Sequence, residues 1–174
     1  MSNSDYIPDS LVLSYILAVL LTIWGIVWIG IGINVMLYIR EHAELFIYAN
    51  PEFKESDLDF FNLIMRYHNN LLEGLLAIAG GVLMIFRKNF GWSIALAVGI
   101  IEIIRFSWLL IVMEPDPNIA KFTNIFSVGL ILFFLVFSLF LFLPKIRERF
   151  TVIRKNGLFA LIVVLVMELD FFLL

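Results

Sequence analysis

Residues 71–113 read LLEGLLAIAGGVLMIF-RKNFG-WSIALAVGIIEIIRFSWLLIVM, two apolar runs joined by only Arg87-Lys88-Asn89-Phe90-Gly91. Each run meets or approaches the about 20 apolar residues that a bilayer-crossing helix needs. The linker is too short to let the runs part, so they are expected to pack as an antiparallel hairpin. Small residues recur at helical spacing on both, Gly74, Ala77 and Gly81 on the first and Gly91, Ala95 and Gly99 on the second. Such stripes let helix backbones approach closely, and they are read as the contact between the two runs.

Composition extends this reading to the whole chain. Of 174 residues, 62% are hydrophobic and 16% charged, and mean hydropathy is +1.00. A soluble domain is nearer half apolar and a quarter charged. The excess, with Phe at 18 residues, is predicted to face lipid. There is no cysteine, which excludes disulfides, thiolate metal sites and Cys nucleophiles. A net charge of -3 with scattered basic residues gives no nucleic-acid footprint. Met1–Ser10 is polar, lacks Lys and Arg, and shows no small-residue cleavage pattern, so the first span is expected to be retained.

The expected fold is an all-α integral membrane protein, a single domain over 1–174 with about five transmembrane helices and a short amphipathic interfacial helix. The spans are placed at about 11–39, 69–86, 92–113, 122–143 and 157–174, with an outer polar segment at 40–68. The first run, Leu11–Ile39, is about 29 residues or ~43 Å of helix, longer than a ~30 Å hydrocarbon core, so it should tilt or project. Asn50-Pro51 breaks any continuation of it. Ser56 and Asp59 form an approximate capping box, from which an interfacial helix over Asp57–His68 is read, its alternative being an N-terminal extension of the second span. Glu114-Pro115-Asp116-Pro117-Asn118 reads as a turn, and Pro144 ends the fourth run. The last run is interrupted by Glu168 and Asp170 and either crosses fully or stops half-buried.

Lys and Arg in short loops set orientation. Arg87, Lys88, Lys145, Arg147, Arg149, Arg154 and Lys155 fall on one side, against Arg40, Lys54, Arg66 and Lys121 on the other. The expectation is an N-terminus inside, a C-terminus outside and, by default, a prokaryotic cytoplasmic membrane. The Lys145–Lys155 segment should attract anionic lipid headgroups at the inner face.

An ionisable side chain in hydrocarbon costs several kcal/mol unless paired, neutralised or wetted, so Glu73, Glu102 and Arg105 each demand a partner. Glu73 shares a face with Ala77, Gly80 and Gly81, while Gly99, Glu102 and Arg105 follow one another at three-residue steps. Running the two helices in opposite directions puts Arg105 ~4.5 Å beyond Glu102 and Glu73 at a similar depth. A Glu73–Arg105–Glu102 cluster is therefore expected, since the planar guanidinium can bridge two carboxylates. His68, Asn69 and Asn70 are placed just above it, Glu168 in the same layer, and Asp170 at the interface. Two carboxylates against one guanidinium leave a surplus negative charge, which suits a proton path and equally a static network. The static or docking reading is the one favoured from residues alone.

Glu41, His42, Glu44 and His68 fit no closed ligand spacing and read as a solvated acidic loop, so no metal or cofactor is expected. No P-loop, dinucleotide fingerprint, nucleophile elbow or HExxH occurs. Three functional readings stay open. The favoured one is a non-catalytic multi-pass subunit, packed against lipid and against other membrane proteins or its own copies. The others are a small proton-coupled transporter or proton conductor using Glu73, Glu102 and Arg105, and a membrane enzyme acting on lipid or quinone with His68 and the acids as acid and base.

Overall fold

The structure, a computed structural model, describes residues 9–39, 41, 60–112 and 117–173. Within these the chain is helical, with α1 Asp9–Leu37, α2 Phe60–Ile85, α3 Asn89–Val112, α4 Pro117–Leu141, the single-turn α5 Pro144–Arg149, and α6 Arg154–Leu173. Five of these helices (all but α5) are long and apolar enough to cross a membrane. The last run, left open by its two acids, is thus a helix of full spanning length.

Two expected boundaries shift. The separate interfacial helix does not appear in the described part of its range, because Phe60–His68 forms the first turns of α2. Nothing between Phe60 and His68 breaks a helix: the stretch holds no Pro and no Gly, so propagation from the span beyond costs little. Asp57–Asp59, the Asn50-Pro51 break, and His42 and Glu44 of the acidic loop lie outside the described residues. Pro117, expected within a turn, opens α4 instead. Proline at the first helical position loses only an N–H that had no partner anyway. Pro144 opens α5 in the same way.

The helix α3 is the axis of the bundle. It packs against α2, α4 and α6, while α1 lies against α2. Every residue from Gly91 to Gly99 is buried. At its start the Trp92 indole N–H donates to the Leu141 carbonyl at 2.8 Å, satisfying an acceptor left open at the end of α4. Nearby the Asn156 side-chain amide donates to the buried Ser93 hydroxyl at 3.3 Å and its oxygen accepts from the Ile153 N–H at 3.0 Å, tying the start of α6 to the same end.

The α2–α3 hairpin turns through Arg87 in the left-handed region, φ 56°. The N–H of Lys88 bonds the Leu83 carbonyl at 2.8 Å and that of Arg87 bonds Met84 at 3.0 Å, the pairing of a Schellman motif. The same motif closes α5 at Thr151, φ 49°, with Val152 bonded to Arg147 and Thr151 to Glu148, both at 3.0 Å.

The six small residues are all buried, but their neighbours are not those expected. Of the first stripe, Gly74 and Gly81 meet α1 rather than α3. A Cβ built on Gly74 would stand 2.7 Å from the Gly25 carbonyl oxygen, and one on Gly81 2.6 Å from that of Ala18. The reason is a matched spacing, seven residues between Ala18 and Gly25 and seven between Gly74 and Gly81, which keeps both backbones in contact over two turns. The hairpin itself is closed by Gly91 on Leu83 and Met84, and by Gly80 on Ile94 and Ala95. Gly99 turns away to α4, where its Cβ would meet the Ser138 hydroxyl.

Candidate functional site

The charged residues of α2 and α3 do meet, in a polar cluster that also draws on α1 and α6. Glu73 and Glu102 are both wholly buried. A guanidinium N–H of Arg105 (Nη1) donates to Glu73 Oε2. Its Nε stands 3.5 Å from Glu168 Oε1, an ion pair without hydrogen-bond geometry. The guanidinium carbon lies 4.7 Å from the centroid of the Phe171 ring, so an aromatic face covers the cation.

Glu102 departs from expectation. It is not held by Arg105 but by two indoles of α1, whose Nε1 groups both donate to Glu102 Oε1, Trp24 closely and Trp28 at 2.6 Å. Three residues on a helix differ by about 60° in direction, enough for Arg105 to lean towards α2 and α6 while Glu102 faces α1. Trp24 and Trp28 stand four residues apart, one turn of α1, and that spacing lets both reach one oxygen. The rings meet edge-on with centroids 5.8 Å apart, and Trp24 packs further on Phe134 at 5.0 Å.

Glu73 and Glu102 are neighbouring buried carboxyls in this cluster. The cluster is incompletely paired. Glu73 Oε1, Glu102 Oε2 and both Glu168 oxygens have no hydrogen-bond donor, and Arg105 Nε and Nη2 have no acceptor. Two carboxyls, those of Glu73 and Glu168, therefore flank the guanidinium, and the third, Glu102, faces the indoles of α1. Beside them is a cleft of about 170 Å³, reached by Glu102, Arg105 and Asn70 and walled by Trp28, Trp108 and Phe171.

The neighbouring polar residues separate into different environments. His68 Nε2 lies 2.8 Å from Asp170 Oδ2, so Asp170, expected at the interface, is engaged by the α2 histidine. Asn69 is buried, and its side-chain oxygen has no hydrogen-bond partner. Asn70 lines the cleft. Among the described residues, no three His, Asp or Glu side chains converge as metal ligands.

The opposite end of the bundle is basic. Arg87, Lys88, Lys145, Arg147, Arg154 and Lys155 are exposed there. Arg149, half-buried, lies 5.9 Å from the Tyr15 ring centroid. Burial, and next the nearby Arg87, hold its pKa below the usual arginine value. No protein-family model, curated protein or solved structure matches this chain, so its residues carry the functional reading by themselves.

Proposed function

We propose that the chain is an integral membrane protein of five spans, its basic loops on the cytoplasmic side, and that it moves protons through the Glu73–Arg105–Glu102–Glu168 cluster, alone or together with a solute. The observation that carries this reading is the charge imbalance of the cluster: three carboxyls to one guanidinium, with Glu73 and Glu102 wholly buried. A network that only fastens helices is expected to satisfy its members, since an unpaired buried polar atom costs about 1–3 kcal/mol. Protons are the missing partners that fit. A proton on Glu102 supplies the donor that the Glu73 carboxylate lacks, and its departure leaves the two indoles to hold the charge. Glu102 sits near the middle of α3, the depth at which a proton relay between the two faces would need a station.

The test is a proteoliposome with a trapped pH indicator and an imposed proton gradient. The wild-type protein is expected to dissipate the gradient faster than empty vesicles, and Glu102→Gln to abolish the excess while keeping its helical circular-dichroism signal. Flux no greater than in empty vesicles, or flux unchanged in the variant, would overturn the proposal.

A second reading, the packing subunit, has an observation of its own. Ile125, Leu132, Leu135 and Leu139 of α4 are exposed, and among the described residues its buried side chains, Ser127, Phe134, Phe137 and Leu141, are on the other side. A partner membrane protein can cover that face as well as lipid does. Stoichiometric co-purification in mild detergent would favour it, and a homogeneous lone species would remove it.

A further inference from the structure

The helices α1 and α4 are not among the pairs whose backbones pack closely, and an apolar groove runs between them. Its walls are Leu13, Ile16 and Leu20 on α1 and Phe133, Phe137 and Phe140 on α4, enclosing about 100 Å³. Leu13 also lines a wider hollow of about 430 Å³, bounded by Leu143, Pro144 and Ile146 and carrying Ser10 and Lys145 at its rim. Leu13 stands on the wall of both, so the groove and the hollow adjoin, and together they are called the slot. One turn beyond Leu20 the rings of Trp24 and Phe134 meet, with centroids 5.0 Å apart.

Two features of the slot specify an occupant. From Ser10 to Leu20 it runs about 15 Å along the helix, which is half of a ~30 Å hydrocarbon core and so the depth of one leaflet. Its open end lies at the basic face of the bundle, where Lys145 is exposed beside the mouth and Arg147 lies two residues on. A single fatty tail fits the first feature, and a negative headgroup the second. We infer that this slot holds one acyl chain of an acidic phospholipid from the leaflet on the basic side, its phosphate against Lys145. The inference rests on the bilayer embedding proposed above and not on proton movement.

Native mass spectrometry of the purified full chain in detergent tests it, with dioleoyl phosphatidylglycerol and dioleoyl phosphatidylcholine offered in turn. Retention of phosphatidylglycerol in preference to phosphatidylcholine is expected. Lys145→Gln should weaken that retention about fivefold, the effect of one basic residue near an anionic surface. Ile16→Trp, which fills the slot, should weaken it without altering the charge. Lys155→Gln, at a residue that does not line the slot, should leave it unchanged. Equal retention of both lipids, equal loss in Lys155→Gln, full retention in Ile16→Trp, or displacement by glycerol phosphate alone would each overturn the assignment. So would a dimer mass in place of bound lipid, because a second copy would then fill the slot. Phosphatidylglycerol retained by a protein without proton flux would leave this inference standing and remove only the transport reading.

Discussion

The Trp28 indole N–H donates to the Glu102 carboxylate at 2.6 Å across 74 residues of chain, and with Trp24 it fastens α1 to a helix it otherwise scarcely touches. Truncating it in Trp28→Phe keeps a ring of similar shape but removes one of the two donors to a wholly buried carboxylate. The variant is expected to lose about 1 kcal/mol of stability, the usual scale for a hydrogen bond between membrane helices. Thermal unfolding in detergent reads the loss. In a Glu102→Gln background the same substitution should cost less, and an equal cost in both backgrounds would show that the bond contributes nothing.

Arg105 is the cation that balances Glu73. Arg105→Met leaves a buried, unpaired carboxylate, and such losses run to about 3–5 kcal/mol. Removing the charge on the other side should restore part of it, so Arg105→Met with Glu73→Gln is expected to unfold at a higher temperature than Arg105→Met alone. A double variant no more stable than the single one would refute the ion pair.

Glycine substitutions distinguish contact sites from open ones. A Cβ at Gly25 would stand 2.5 Å from the Gly74 carbonyl oxygen, a backbone atom that cannot swing aside. Gly25→Ala should therefore part α1 from α2 and destabilise by about 1–3 kcal/mol. Gly30 and Gly129 have nothing within 4 Å of the same position. Alanine there should be neutral or stabilise by up to about 1 kcal/mol through helix propensity. Parallel unfolding curves of the three variants check the order.

Thr151 adopts φ 49° although its side chain is β-branched, and it is exposed. The left-handed conformation costs an L residue about 1–2 kcal/mol that glycine avoids. Thr151→Gly is expected to stabilise by about 1 kcal/mol in the same assay, leaving any proton flux unchanged.

Much of this was legible in the residues. The apolar runs by themselves pointed to five long helices, because a run of that length and hydropathy reads as a span whose backbone bonds must close within the segment, and because the short Arg87–Gly91 linker forces a hairpin. Glu73 and Arg105 could be paired in advance, since opposed helices of known rise put them at one depth. Glu168 could be assigned to the same layer on the same grounds.

Tertiary structure decided the rest. A stripe such as Gly74, Ala77 and Gly81 marks a face for close approach without naming the neighbour, and the match to Ala18 and Gly25 chose α1. The two indoles on Glu102, the His68–Asp170 contact and the turn of Gly99 towards Ser138 follow equally from which helix lies beside which. Spacing along one helix fixes angle and depth, whereas a partner remote in sequence depends on how separate helices rotate and cross, and that is settled only when all their surfaces pack at once.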